Sequence, residues 1–430
     1  MPSLKQVQRD VQGKGRRRDA LILLVGRNPI PNFVAAVVLQ PRTLYVVFTN
    51  DTRDVKVRLA RTLKACIKDW RPSDAPDDCF VDVHLTDACD IDEVRRVFRD
   101  YLPGEIALHY TGGTKTMAAH VYHLWLTEKK GDPRFASYLD EASGSIRFDD
   151  GLTVDVDGAT PSSVEILADL HGLRDFKAQY LPGMLPSGLP SVNDAVTITK
   201  MAASDPNGIP LITNGLRRLL KEPSSSHDVA QPALDAFARL SYQSLSSEMR
   251  TEKLTQEWDA FIAYNSWLEV FAASCVAEAS RDCESEGSVQ GETVWNVRGR
   301  TVGGRDFQVD VAHCRGHRLY ALSCTTSKPS NDALYKAKNK LFEVSFRAKQ
   351  LGGDLARSAL VCFLGSTLEK GTNRVIDQVS ELQADVVAAY GSCDDTGYRL
   401  VPHVPRVFGS KHIRAWLEGD LSSLKEWLRA

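Results

Sequence analysis

Residues His109 to Lys115 read HYTGGTK, and they connect a short apolar run, EIALHY, to an apolar helical pattern, TKTMAAHVYHLWLTEKK. Two adjacent glycines allow a tight turn, and backbone amides at the start of a helix favour a phosphate group. The turn has neither the GxxxxGK[ST] spacing of a Walker A loop nor the GxGxxG fingerprint of dinucleotide sites. The stretch predicts an α/β fold that binds a phosphorylated ligand. Its candidate ligand residues are Thr111, Gly112, Gly113, Thr114 and Lys115.

The chain before this turn alternates between short apolar runs and helical patterns from residue 19 onward. The predicted strands are ALILLVG, TLYVVFT, FVDVHL and EIALHY, with helices FVAAVVLQ, DVKVRLARTLKACIKDW and IDEVRRVFRDYL between them. This alternation indicates a parallel, doubly wound, Rossmann-like sheet with helices on both faces. A hairpin-like stretch, ASYLDEASGSIRF, and a short helix, VEILADLHGL, close this domain, to which we assign residues 19–172.

Two further polar loops follow predicted strands at the same edge of this sheet. One reads GRNPIPN and the other begins with TND. Loops at the carboxyl ends of parallel strands form the ligand crevice of such folds. Ordinary turn chemistry explains each loop alone, but it explains less well why the polar groups share one edge. The candidate ligand residues in these loops are Arg27, Asn28, Asn32, Thr49 and Asn50.

The order of these motifs resembles a CARF domain, the CRISPR-associated Rossmann fold that binds cyclic oligoadenylates. The resemblance rests on the GRNPIPN loop, the strand ending in FTND, the HYTGGTK turn and the closing ILADLHGL. It implies that cyclic tetra- or hexa-adenylate binds at the sheet edge, and that the protein is a homodimer with the ligand across its two-fold axis. His109 departs from the pattern, because asparagine is frequent at this position in such domains.

The remaining chain is predicted to contain a loop-rich segment and a second α/β domain. Residues 173–254 are rich in Pro, Gly and Ser, which indicates a linker or a helical insert. Residues 255–430 begin with one long helix, EWDAFIAYNSWLEVFAASCVAEA. The strand-like runs ETVWNVRG, FQVDVAH and RLYALSC follow, and then come a helix from about Asn331 to Leu351, the strand SALVCFLG and a C-terminal helix.

This second domain resembles the PD-(D/E)xK nuclease fold. Such nucleases hold hard divalent cations on acidic oxygens and usually add a lysine. The resemblance implies that Glu269 on the helix and Asp310 on a strand are ligands of Mn²⁺ or Mg²⁺, and that the substrate is DNA or RNA. CARF domains fused to such nucleases form a class of type III CRISPR effectors that cyclic oligoadenylates activate.

The next strand, in LYALSCTTSK, departs from the glutamate-x-lysine motif of this family. Ser323 stands where the glutamate belongs and Thr325 where the lysine belongs, and Gln308 occupies a position that is often glutamate. Loss of a single transition-state donor costs roughly 10²–10³ in rate. We therefore expect severely impaired catalysis unless another group replaces the missing ones.

Nearby side chains offer three replacements. Lys328 lies three residues beyond Thr325, and three further lysines lie on the following helix, although a lysine on a polar helix face is usually only solvated. A zinc site is a second possibility. The third is Cys324 as a nucleophile, but its alternation with Ser323 predicts a core position. The helix lysines are Lys336, Lys338 and Lys340, and the zinc candidates are His313, Cys314 and His317.

Composition sets further bounds. The 430 residues carry a net charge of −2, so any nucleic-acid contact must use a local patch. Nine cysteines without a CxxC pair predict reduced thiols in the cytoplasm. No apolar window approaches 18 residues, so we expect no membrane contact. The polar, basic residues 1–18 predict a disordered arm.

Three functions compete on these observations. The leading hypothesis is a cyclic-oligoadenylate-activated effector of type III CRISPR antiviral defence with a nuclease-like domain. The alternative is an inactive pseudo-nuclease that binds nucleic acid, protein or the messenger under the same control. A nucleotide-dependent metabolic enzyme fits the first fold, but it leaves the TGGTK turn and the second domain unexplained.

Overall fold

A computed structural model describes residues 4–66, 79–140, 143–156, 163–181, 188–223, 225–283, 291–326, 331–368, 375–390 and 404–429. These residues form two α/β units, built on a seven-stranded and a six-stranded sheet. The predicted α/β architecture, with a parallel sheet in the first unit, is confirmed.

The first unit places β1 and β4 side by side at the centre of its sheet, in the order β3-β2-β1-β4-β5-β6-β7. Strands β1 to β5 run parallel, and β6 and β7 add in antiparallel fashion. The strands are β1 (Ala20–Leu24), β2 (Thr43–Thr49), β3 (Phe80–Leu85), β4 (Ala107–His109), β5 (Ala136–Asp140), β6 (Ser145–Phe148) and β7 (Thr153–Asp155). The helices are α1 (Leu4–Gly13), α2 (Ile30–Leu39), α3 (Arg53–Ala65), α4 (Ile91–Tyr101), α5 (Lys115–Glu128) and α6 (Val164–His171).

The N-terminal residues correct one prediction. Residues 4–13 form α1, where the sequence predicted a disordered arm over residues 1–18. Val7 and Val11 lie one turn apart and are each only 1% exposed, and the Gln8 side chain donates a hydrogen bond of 2.8 Å to the Val37 carbonyl on α2. The prediction was wrong because it weighed the charges and not the spacing of the two valines.

The second unit is a mixed sheet in the order β15-β12-β11-β10-β9-β8. Strands β8 to β11 are antiparallel, whereas β11, β12 and β15 are parallel. The strands are β8 (Arg174–Tyr180), β9 (Glu292–Arg300), β10 (Asp306–Arg315), β11 (Arg318–Thr325), β12 (Arg357–Cys362) and β15 (Arg406–Phe408), with a separate ribbon of β13 (Ser366–Leu368) and β14 (Val375–Asp377). The helices are α7 (Val192–Ser204), α8 (Ile209–Lys221), α9 (Gln231–Phe237), α10 (Glu252–Ala263), α11 (Ser266–Cys283), α12 (Asn331–Gly352), α13 (Gln378–Ala389), α14 (Ser410–Leu417) and α15 (Ser422–Arg429).

The segment 173–254 is part of this second unit and not a linker to it. Its first strand, β8, forms the edge of the six-stranded sheet by pairing with β9. Its helices share one core with α10 and α11, in which Ile198 and Leu216 are fully buried. The prediction of helices here is confirmed for the described residues, but the domain boundary lies near residue 173 and not at 254.

The predicted long helix is also broken. Helices α10 and α11 meet at a bend of 75°, where Asn265 adopts a left-handed conformation with φ of 59°. Within the described residues, no single helix is long and apolar enough to cross a membrane, although this bent pair passes by length and composition. Trp258 and Trp267, one on each side of the bend, are fully buried in the core of the second unit.

The two units are in contact, and one of their contacts involves the loop after β1. Gly353, directly after α12, has a φ of +67°, and a Cβ at this position would lie 2.9 Å from both polar atoms of the Asn28 amide. The Asn28 side chain accepts a hydrogen bond from the Ile30 amide within its own loop. The loop after β1 therefore rests against the end of α12. Elsewhere, the Val164 amide on α6 donates to the Glu292 carboxylate on β9 at 2.7 Å.

Candidate functional sites

The TGGTK turn packs against the end of β1, and this contact requires glycine. A Cβ on Gly112 would lie 1.8 Å from the Leu24 carbonyl, and one on Gly26 would lie 2.8 Å from the Gly113 amide. Gly113 also has a φ of +78°. The loops after β1 and β4 are thus in contact at the point where the strand order reverses, which is where open α/β sheets bind ligands.

Two exposed cations lie at this edge beside a helix N-terminus. Thr114 is the N-cap of α5, and its hydroxyl accepts a hydrogen bond from the Met117 amide at 3.1 Å. Lys115 is the first residue of the helix and is exposed, as is Arg27 in the loop after β1. Thr111 is bound through its hydroxyl oxygen to the Leu139 amide. The edge therefore combines a helix N-terminus with two cationic side chains.

Other predicted ligand residues have structural roles. Asn32 is fully buried on α2 and donates a hydrogen bond of 2.8 Å to the Leu24 carbonyl, so it supports the end of β1 and does not face the crevice. The Thr49 amide is bound by the Thr52 hydroxyl at 3.0 Å. Asn50 is exposed, and its side chain oxygen lies 2.9 Å from His84 Nε2. Of these three residues, Asn50 retains the exposure that a ligand residue needs.

His109 also lies inside the fold. It is fully buried, its Nδ1 lies 3.1 Å from the Ser137 hydroxyl, and burial lowers its pKa to about 3. The imidazole is therefore neutral near pH 7. It pairs β4 with β5 and does not reach the ligand edge.

The second candidate site is a cavity of about 1240 Å³ in the second unit. Glu269 from α11 and Asp310 from β10 both border it, as do Arg298 on β9 and Lys340 on α12. The structure thus brings together the two acidic residues that the sequence predicted, which lie 41 positions apart in the chain.

Asp310 lies where two strands separate. The ladder between β10 and β11 joins residues 311–315 to 318–322, and beyond it β11 pairs only with β12. Asp310 Oδ2 accepts a hydrogen bond of 2.7 Å from the Cys324 amide and one of 2.9 Å from the Ser323 hydroxyl. The carboxylate replaces the missing strand partner of that amide, and these two bonds fix its orientation.

The electrostatics of the acid pair favour a cation. Burial, with the nearby Asp310 charge as the second cause, raises the pKa of Glu269 to about 8, and Arg298 opposes the shift. Burial also raises the pKa of Asp310, against the lowering effect of its two hydrogen bonds and of Lys340. The buried Glu269 and the half-buried Asp310 carry hard carboxylate oxygens, and Mg²⁺ is commonly bound by one or two carboxylates with water in its other positions. The residues present therefore fit Mg²⁺ or Mn²⁺, although no group of three or more His, Cys, Asp or Glu side chains placed to hold a metal occurs in the described part of the chain.

The candidate replacements for the missing lysine differ in whether they border the acid cavity. Thr325 lies in the ladder opposite Cys362, where it offers no positive charge. Lys338 pairs with Asp385 at 2.9 Å, and Lys336 is exposed and does not border the cavity. Lys340 borders the cavity and lies 3.2 Å from Glu343. Lys328 lies outside the described residues.

The zinc alternative is not supported. His313 is fully buried with its Nδ1 2.8 Å from the Thr293 hydroxyl, and the Cys314 thiol donates to the Gly316 carbonyl. His317 is 2% exposed, so all three side chains are buried. In the part of the chain that the structure describes, these side chains do not form a group that could hold a metal ion.

Cys324 packs against the core of the second unit, as predicted, and also borders the acid cavity. Burial, together with the charges of Asp310 and Glu269, raises the pKa of this thiol well above its usual range. A thiol that stays protonated is a poor nucleophile. Arg298, in contrast, was missed by sequence reasoning, because it lies on a neighbouring strand with no motif around it.

Comparison with known proteins extends the fold argument. No family model matches the chain, and no curated protein matches it. Among solved structures, protein VC1899 from Vibrio cholerae matches with a TM-score of 0.61 and 13% identity, covering 95% of this chain and 98% of that one. Can2 from Sulfobacillus thermosulfidooxidans, solved in complex with cyclic tetra-adenylate, matches with a TM-score of 0.60 and 13% identity, covering 96% of this chain and 100% of Can2. The fold of this chain is therefore similar to theirs across both units.

Proposed function

We propose that this protein is a cyclic-oligoadenylate-activated effector of type III CRISPR defence, and that its second unit is a metal-dependent nuclease of the PD-(D/E)xK type. The observation that carries the proposal is the cavity shared by Glu269, Asp310 and Lys340. The similarity of the fold to Can2, which was solved with cyclic tetra-adenylate, supports the choice of activator.

In this proposal Glu269 and Asp310 hold Mn²⁺ or Mg²⁺. A cation bound there would supply an activated water and stabilise the charge of the scissile phosphate. Asp310 is already oriented by Ser323 and Cys324, so it needs little rearrangement to act as a ligand. Lys340 takes the place of the lysine lost at Thr325 and places its positive charge beside the phosphate of DNA or RNA.

The activator binds at the sheet edge of the first unit. Lys115 and Arg27 bind its phosphates there, on the N-terminus of α5. From the CARF resemblance we propose a homodimer that holds one cyclic tetra- or hexa-adenylate across its two-fold axis. The nine cysteines without a CxxC pair favour a cytoplasmic location.

The test is a cleavage assay with purified protein. The protein is incubated with Mn²⁺, cyclic tetra- or hexa-adenylate, and single-stranded or supercoiled DNA and RNA, beside an Asp310→Ala variant. We expect cleavage that requires the activator and is absent from the variant. Cleavage that persists in Asp310→Ala would point to a contaminating nuclease and remove the acid pair from the mechanism.

A pseudo-nuclease is the second candidate, and the pair Ser323 and Thr325 favours it, because these residues supply neither the carboxylate nor the ammonium of the family motif. Here the same sensor controls binding of nucleic acid, protein or the messenger without hydrolysis. Activator binding with no cleavage of DNA in either form or of RNA would decide for this candidate.

A further inference from the structure

A second cavity lies in the first unit, beside α5 and the antiparallel strands β5, β6 and β7. Its volume of about 700 Å³ falls within the range of roughly 300–1,000 Å³ that is common for small-molecule sites. Its aromatic and charged lining residues are Tyr110, Tyr122, Tyr138, Arg147, Phe148 and Asp149. None of these residues was predicted as a ligand residue, although Tyr110 lies in the HYTGGTK turn.

Three tyrosine rings form an aromatic wall. The Tyr110 ring centre lies 5.3 Å from that of Tyr122 and 5.6 Å from that of Tyr138. The plane of Tyr122 is inclined by 65° to that of Tyr110 and the plane of Tyr138 by 40°, so a planar heterocycle would stack on the face of one ring at a time. The wall therefore favours a nucleobase over a flexible or globular ligand.

The Asp149 carboxylate adds a polar group with unused capacity. Its two oxygens accept hydrogen bonds from the Tyr110 hydroxyl at 2.8 Å and the Tyr122 hydroxyl at 2.6 Å, one on each oxygen. Each carboxylate oxygen has two lone pairs, so each can accept a second N–H. A half-buried acceptor beside an aromatic wall selects a base that carries an exocyclic amino group, as adenine does.

The position of the cavity relates it to the phosphate edge. Ala118 and Ala119 border the cavity and lie three and four residues after Lys115 on α5. Residues at these spacings lie on one face of a helix, about one turn of 5 Å further along its axis. Their small side chains leave room beside the helix. A nucleotide whose phosphate contacts Lys115 would thus lay its base along α5 toward Asp149.

We propose that this cavity is a nucleobase site that takes the adenine ring of the activator. The inference rests on the proposed function, because it assigns one base of a cyclic adenylate to the aromatic cavity while its phosphate stays at Lys115. Arg147 borders the cavity and is paired with Asp140 at 2.8 Å, so its charge is largely balanced and the tyrosine wall and Asp149 carry the inference.

The test is calorimetry with three probes: cyclic tetra-adenylate, 5′-AMP and 5′-IMP. The variants are Tyr138→Ala, which removes a wall of the site, and Tyr138→Phe, which keeps the ring. Tyr335→Ala is the matched control, because Tyr335 is 69% exposed on α12 of the second unit and is not among the residues that line either cavity. Since one stacked base contributes about 1–3 kcal/mol, we expect Tyr138→Ala to weaken both adenine probes by about tenfold or more, with the other two variants unchanged. IMP, which lacks the amino group, should bind at least about tenfold more weakly than AMP.

The outcomes separate this inference from the proposed function. If cyclic tetra-adenylate binds, but equally well to wild type and Tyr138→Ala, or with AMP and IMP bound alike, the adenine site is wrong and the activator role stands. If AMP binds through Tyr138 but no cyclic adenylate binds, the cavity takes a nucleobase, but the activator role fails and with it the assignment to the activator's adenine. Absence of binding by all probes overturns both. A Tyr138→Ala variant that loses self-association with unchanged ligand affinity would show that the cavity is covered by a second copy, and would also overturn the inference.

Discussion

The Ser323 hydroxyl donates a hydrogen bond of 2.9 Å to the Asp310 carboxylate. The residue that departs from the nuclease motif is therefore coupled to the proposed metal ligand and helps to hold it in place. A glutamate at this position would bring a third negative charge close to two carboxyl groups whose pKa values are already raised. Serine avoids that repulsion, and it leaves the site with one ligand fewer.

Restoring the family motif should make the stability of the folded protein depend on bound metal. In Ser323→Glu with Thr325→Lys, we expect a lower melting temperature than wild type without metal, and faster activator-dependent cleavage with Mn²⁺. Thermal melts with and without Mn²⁺, followed by cleavage assays, check this. Ser323→Ala is the control, and it should lose about 1–3 kcal/mol of stability through its missing hydrogen bond without gaining activity. A double variant that metal does not stabilise would show that position 323 is not near the cation.

Lys340 should behave differently from its neighbour on α12. Lys340→Ala is expected to lower the cleavage rate by roughly 10²–10³, because a positive charge beside the scissile phosphate is lost. Lys338→Ala is the matched control, since Lys338 is paired with Asp385 and does not border the cavity. Single-turnover cleavage rates at saturating Mn²⁺ measure both. Equal rates for the two variants would show that the missing lysine has not been replaced from this helix.

Metal affinity and stability should both depend on pH through Glu269. Its pKa is about 8 in the folded protein and has an ordinary value of 4.5. The folded state therefore binds the extra proton between these values, and the free energy of unfolding falls as pH rises from about 5 to about 8. We expect the melting temperature of metal-free wild type to drop by roughly 5 °C more than that of Glu269→Gln between pH 6 and pH 9.

Mn²⁺ competes with the same proton, so its affinity should rise more over this window in wild type than in Glu269→Gln. Calorimetric titrations at pH 6, 7 and 8 measure that rise. A pH-independent affinity for Mn²⁺ would remove Glu269 from the metal site.

Lys115 should contribute to activator binding through a phosphate contact. Lys115→Ala is expected to weaken cyclic tetra-adenylate binding by about tenfold, and the loss should shrink at high salt because the contact is ionic. Lys200→Ala, an exposed lysine on α7 of the second unit, is the control. Calorimetry at two salt concentrations gives both quantities. An unchanged affinity would mean that the helix N-terminus alone binds the phosphate.

The parts of the fold that sequence predicts well are those in which apolar runs end at turn residues. Strands β2 and β3 begin and end where the runs TLYVVFT and FVDVHL do. Strand β8 was missed because it is an edge strand whose residues are mostly exposed, so it carries no apolar signal. The break at Asn265 was missed because the apolar periodicity continues through the bend.

In the candidate sites too, some residues were predictable from the sequence and others were not. Glu269 and Asp310 were predicted because a family pattern names their positions, and the structure places them on one cavity. The choice of Lys340 over Lys338 depends on the direction in which each side chain leaves α12, and spacing alone does not give that direction. Asn32 was predicted to contact the ligand because its loop is polar. In the structure its side-chain amide donates a hydrogen bond to the Leu24 carbonyl inside the fold.

Gly353 lies against Asn28 with no room for a Cβ, and α12 extends from that contact to Lys340 over about 18 Å. The two units are therefore not interchangeable parts. Any graft of the first unit onto another α/β unit would have to reproduce a left-handed glycine at the end of the recipient's helix. A graft without it would displace the loop after β1, and with it the surface proposed to bind the activator.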